Sequence, residues 1–171
     1  MQSTVVIAAA SAADIPVVQR LAGAIWRQHY PGILSVEQIE YMLAQSYSYA
    51  ALERFVTAAD AGLALARVDG EAAGFAAWYR TETPTTVKLD KLYVLLQFQG
   101  EGLGRTLIDV VAAQARTRGC DEVTLNVNRG NAGAIRAYER CGFVIRARGD
   151  FPIGAGFVME DFIMVRALHD R

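Results

Sequence analysis

The chain has 171 residues, 53% of them hydrophobic and 20% charged, a balance that fits one globular domain over residues 1–171 and excludes a disordered tract. A formal net charge of −1 excludes the broad positive field that nucleic acid or an anionic membrane would need. The 2 cysteines, Cys120 and Cys141, are too few for a disulfide framework and show no zinc-like spacing with histidine, so half-buried thiols in a reducing cytoplasm are expected.

The stretch Met1 to Ala13 is apolar but lacks a basic region and is followed by Asp14, which speaks against a cleaved signal peptide. No run of about 18 apolar residues is present to span a membrane. Val5-Val6-Ile7 reads as a short buried strand. Asp14 as N-cap and Pro16 in the first turn open a helix to about His29, with Ile15, Val18, Leu21, Ala22, Ile25 and Trp26 at helical spacing. Ser35 and Gln38 form a capping box for a second helix, and a third short helix is expected from Tyr49 to Phe55. The pattern then changes to strands. Leu63 to Val68 and Ala73 to Arg80 form a hairpin around Asp69-Gly70, and Val87 to Leu95 is a further strand. A helix with the stripe Leu103, Leu107, Val110 and Val111 ends at Gly119. Val123 to Val127 is a strand and Asn131 to Arg140 a helix. Two last strands occupy Phe143 to Arg148 and Phe157 to Arg166. The fold class is mixed α/β (α+β).

Gln99-Gly100-Glu101-Gly102-Leu103-Gly104-Arg105 carries the most chemistry. A strand ends, and a glycine-rich turn runs straight into a helix. Backbone N–H groups can converge on an anion there, and the helix N-terminus adds partial positive charge. The stretch lacks the G-x-x-x-x-G-K-[ST] of a P-loop, and its Gly-x-Gly-x-Gly spacing is not that of a dinucleotide-binding unit.

Gln99, Gly102 and Gly104, followed one helix and one strand later by Asn131, Ala134, Tyr138, Gly142 and Phe143, resemble the two acetyl-CoA signatures of the Gcn5-related N-acetyltransferase superfamily. The resemblance spans nearly the whole chain. It implies a mostly antiparallel central sheet with a splayed parallel pair and helices on both faces. It also implies acetyl-CoA as co-substrate, with no metal. Backbone amides from Gly100 through Glu101, Gly102, Leu103 and Gly104 to Arg105 would hold the pyrophosphate, and Leu92, Tyr93 and Val94 would pair with the pantetheine arm. Asn131 would contact the pantetheine. Tyr138 would protonate the leaving thiolate, unless it merely packs.

Family members place a glutamate base on the fourth strand where this chain has Lys88. Asp90, on the same face as Lys88 and Leu92 by alternation, is the first candidate for the base; a water relay, Glu160 and Asp161 stay open. The acceptor site implied by the family lies in the first helices, which offer Trp26, His29 and Tyr30, then Glu37, Glu40 and Tyr41. Trp26 and Tyr30 are the expected acceptor contacts. The phrases Leu92-Tyr93-Val94-Leu95 and Met159-Glu160-Asp161-Phe162 look like the bacterial PaiA-type branch, associated with acetylation of polyamines such as spermidine. A polyamine is therefore the first acceptor expected. Peptide, amino-acid and antibiotic amines, a longer acyl donor and a non-catalytic acetyl-CoA-binding module remain as alternatives. The resemblance also admits a homodimer through the last strands.

Overall fold

Asp69 and Gly70 take left-handed backbone angles, φ 50° and 85°, as a two-residue hairpin turn requires, and so fold β2 (Ala61–Val68) against β3 (Glu71–Arg80). The computed structural model, which describes residues 2–169, extends the sheet in both directions from this hairpin. β1 (Val5–Ala9) pairs with β2, and β4 (Thr86–Val94) pairs with β3. The helix α4 (Leu103–Thr117) then crosses over to β5 (Glu122–Asn128), which lies parallel to β4. β7 (Phe157–Ala167) slots between β5 and β6 (Val144–Gly154). The order is β1-β2-β3-β4-β5-β7-β6, and every neighbouring pair but β4–β5 is antiparallel.

Strand alternation sends side chains to two cores. Leu63, Leu65, Phe75 and Ala77 meet α1 (Ile15–His29), α2 (Val36–Ser46) and α3 (Tyr49–Thr57). Ala64, Ala66, Trp78, Val87 and Leu89 meet α4 on the opposite face, where α5 (Ala132–Arg140) also packs. The α4 stripe is Leu103, Leu107, Ile108 and Val111, each buried and worth about 1.5–3 kcal/mol in transfer free energy; Val110 sits at its rim.

Three local expectations are corrected. β1 is not a buried strand: it pairs on one side only, Val5 and Val6 are half exposed, and Ile7 alone packs partly buried on the α4-side core. The side chain of Asp14 does not cap α1. Its carboxylate accepts the Ser11 backbone N–H at 2.9 Å and closes a short 3-10 turn, Ala12–Asp14, ahead of the helix. Only half of the Ser35–Gln38 box forms. Ser35 Oγ accepts the Gln38 N–H, but the Gln38 amide donates to Val158 O at 3.1 Å, tying α2 to the last hairpin. Of the two thiols, Cys120 is fully buried and Cys141 half-buried.

Gly62 lies against the Trp78 indole, and any Cβ there would collide with the ring. Trp78 is buried and covered by the Arg118 guanidinium 4.5 Å from its ring centre, so it has little room to yield. Gly62→Val is expected to destabilise the fold by about 1–3 kcal/mol, read from urea unfolding curves.

Candidate active site

β4 and β5 pair only at Thr86–Glu122, Val87–Val123 and Lys88–Thr124. Beyond Lys88 the two strands separate, and the β5-facing edge of β4 has no strand partner. β4 also carries a bulge: Trp78 pairs with Leu89 and Ala77 with Lys91, so Asp90 is the extra residue. An inserted residue reverses every later side chain. Val87 and Leu89 before the bulge, and Leu92 and Val94 after it, all pack on the α4 side, whereas Tyr93 faces α1–α3. Asp90 therefore does not share a face with Leu92, contrary to simple alternation. Its Oδ2 lies 3.0 Å from Lys91 Nζ, and the Tyr47 and Tyr79 phenols of the α1–α3 side, raised chiefly by burial, are raised further by its negative charge. The Lys91 ammonium is buried, 4.5 Å from the Tyr47 ring centre, so Asp90 is held in an ion pair.

The gap opens into a cleft of about 870 Å³ that runs from the glycine-rich turn to the aromatic ends of α1 and α2. At the turn, Gly100 and Gly102 have φ 86° and 83°, angles that admit little but glycine. Thr106 donates to Gly102 O at 3.0 Å, so the N–H groups of Leu103, Gly104 and Arg105 have no acceptor within the helix. Gly104 needs no unusual angle, and a Cβ there would meet nothing within 4 Å. Packing alone does not call for glycine at 104, and the backbone there is left open to close approach. Arg105 and Arg140 bring positive charge to this end, with Arg105 donating to Arg140 O at 3.0 Å. The Gln99 amide donates to Val94 O at 3.0 Å and fixes the turn to the end of β4. Glu101 is exposed and does not line the cleft.

Leu92, Tyr93 and Val94 line the middle of the cleft on one side, and Asn126, Asn128 and Asn131 on the other. Asn131 is buried, and its Oδ1 accepts from His29 Nε2 at 3.1 Å. Tyr138 of α5 stands edge-on to Phe143, with ring centres 5.7 Å apart, and its hydroxyl makes no hydrogen bond among the described residues. Burial above all pushes its phenol well up, so it is protonated at neutral pH.

Trp26 and Tyr30 are core residues that each turn one surface to the far end. Trp26 Nε1 donates to Tyr47 Oη at 3.1 Å, and the Tyr30 and Tyr93 hydroxyls share a hydrogen bond of 3.0 Å. Glu40 is drawn away into an exposed pair with Arg27, Glu37 is exposed, and Tyr41 donates to Ile153 O, so none of the three lines the cleft. Glu160 is exposed, 4.0 Å from Arg129. Asp161, beside it in sequence, faces the cleft. Sequence reasoning missed Tyr47, Lys91 and Asn126. The polar alternation of Thr124, Asn126 and Asn128 on β5 was the signal available for the last of these.

A glycine cradle opening a helix, a splayed strand edge and a protonated phenol in one cleft suit a long phosphorylated thioester with its acyl end between the strands. Residues 24–143 match the sequence model of the acetyltransferase (GNAT) family. The chain belongs to this family. An uncharacterized N-acetyltransferase of Mycobacterium tuberculosis is 33% identical over 138 residues, covering 81% of this chain and 87% of that protein. The streptothricin acetyltransferase of Streptomyces lavendulae is 39% identical over 75 residues, 44% of this chain and 40% of that one. In fold, the PaiA N-acetyltransferase of Thermoplasma acidophilum, crystallised with coenzyme A, superposes with a TM-score of 0.82 at 24% identity over 96% of this chain and 99% of its own. This GNAT chain is an acetyl-CoA-dependent N-acetyltransferase. Among its described residues no helix is long and apolar enough to cross a membrane, and no cluster of three or more His, Cys, Asp or Glu is placed to hold a metal ion.

Proposed function

We propose that the enzyme transfers the acetyl group of acetyl-CoA directly to a primary amine while both substrates are bound. One observation carries this reading: a single cleft joins the glycine cradle, the unpaired edge of β4 and the Tyr138 hydroxyl. The amides of Gly100 to Arg105, with Arg105 and Arg140, bind the phosphates. The free edge of β4 at Leu92, Tyr93 and Val94 takes the pantetheine as an added strand, with Asn131 opposite. Backbone N–H groups past the bulge stabilise the oxyanion, and Tyr138 donates its proton to the departing sulfur. Asp90, engaged by Lys91, belongs to the acceptor wall rather than to proton transfer.

The acceptor we propose is a polyamine. The PaiA-type sequence resemblance and the aromatic surfaces of Trp26, Tyr30 and Tyr47, which suit a cation, support it. We place the enzyme in the cytoplasm, where its two free cysteines stay reduced. We place a homodimer contact at the free edge of β6, where Val144 and Ile145 are exposed. Initial velocities with acetyl-CoA and spermidine varied together test direct transfer. Intersecting reciprocal plots are expected. Parallel plots would mean an acetyl-enzyme, with the cleft-lining Cys141 as its thiol.

A further inference from the structure

Asp161 sits on β7 opposite Asn128 of β5 and Gly149 of β6, near the middle of the sheet's far half. It is 6% exposed and lines the cleft. Among the described residues its Oδ1 has no hydrogen-bond partner, and its Oδ2 has only the Asn126 amide at a long 3.5 Å. The charges of Lys88 on β4 and Arg129 in the turn after β5 act on its carboxylate, and Tyr30 at the end of α1 lines the same cleft. Arg129 does not pair with the carboxylate: it pairs with Asp150 at 2.9 Å, donates to Gly149 O at 3.1 Å, and reaches only the backbone carbonyl of Asp161, at 3.4 Å. No cation lies within 4.0 Å of the Asp161 carboxylate among the described residues. A buried carboxylate without a cation costs stability and is normally paired. Asp161 lines the cleft, and its unpartnered oxygen, Oδ1, lies just beneath that surface.

Resting on the proposed transfer to an amine, we infer that Asp161 receives the ammonium group of the acceptor and takes its proton. The ammonium gives one proton to the carboxylate, and the freed lone pair attacks the thioester carbonyl carbon. The carbonyl electrons move to oxygen, then return as the carbon–sulfur bond breaks. Tyr138 protonates the thiolate and recovers a proton from the acetylated nitrogen. Asp161 releases its own proton to water, so the products are the amide, free coenzyme A thiol and one proton. Burial first, opposed by Asn126, Lys88 and Arg129, raises the carboxyl of Asp161, which strengthens it as a base.

The test compares the wild type with Asp161→Asn on spermidine, thialysine and kanamycin. At pH 7 the variant should lose about 100-fold in kcat with an unchanged Kd for acetyl-CoA. The deficit should close as pH approaches the pKa of the amine, about 10, where free amine is supplied by solvent. The variant should also melt about 3 °C or more above the wild type at pH 7, because an unpaired buried charge is gone. A raised carboxyl costs nothing below its unfolded pKa of about 4, where it is protonated in both states, so that gain should vanish in acid. Lower activity with higher stability is not what a merely structural residue would give. Wild-type kcat in the variant, or an equal deficit at every pH, overturns the role of Asp161 and leaves the acetyltransfer reading intact. Absence of thiol release by the wild type from all three amines overturns that reading, and this inference with it.

Discussion

Glutamate in place of Gly104 should weaken acetyl-CoA binding about a thousandfold, roughly 4 kcal/mol, while leaving the melting temperature unchanged or slightly higher. The two effects separate because of where Gly104 lies. Its backbone is ordinary, and a side chain there meets no protein atom within 4 Å, so the fold is not strained. A carboxylate in the first turn of a helix even favours the fold by about 0.3–1 kcal/mol. The same group fills the space above the free N–H groups of Leu103, Gly104 and Arg105 and opposes the phosphates by charge. Gly102 is a poorer place for this experiment, since its φ of 83° would strain any other residue. Titration calorimetry and a thermal melt on the same preparation read both quantities. Full affinity in a stable Gly104→Glu protein would remove the phosphates from this turn.

Tyr138→Phe should lower kcat several hundredfold and leave the Kd of acetyl-CoA within about twofold. The substitution keeps the ring against Phe143 and removes one hydroxyl that has no hydrogen-bond partner among the described residues, so little stability is at stake. What is lost is the proton for the departing sulfur. With the phenol pushed up by burial, the wild-type rate should not fall on the alkaline side until well above neutral pH. Rapid-quench measurement of the first turnover would separate this step from product release. Unchanged turnover would leave Tyr138 as a packing residue.

Features set by neighbouring residues were legible in the sequence. Asp69-Gly70 announced the β2–β3 hairpin, Ser35 caps its helix, and Gly119 and Gly142 follow helix ends with φ 71° and 90°. The turn from Gln99 to Arg105 could be read for the same reason: strand end, glycines and helix start are consecutive. Features set by distant partners were not legible. The bulge at Asp90 comes from the register of β4 against Ala77 and Trp78 on β3, and nothing in Leu89-Asp90-Lys91 marks it. It alone decides that Asp90 meets Lys91 and that Leu92 turns to the other core. The insertion of β7 between β5 and β6 likewise depends on pairings across the sheet, and it brings Asp161 to the cleft opposite Asn128. Tyr47 reaches the cleft through its packing on Trp26, Phe75 and the Lys91 ammonium, each remote in sequence.

The most direct test of the central claim is thiol release from acetyl-CoA across a panel of amines, with spermidine, spermine, lysine peptides and aminoglycosides included, and with the acetylated product identified by mass. Transfer of acetyl to one class, with thiol and amide formed in equal amounts, is the predicted result. Tight binding of acetyl-CoA with no amide formed from any amine would contradict it and leave a protein that holds the coenzyme without turning it over.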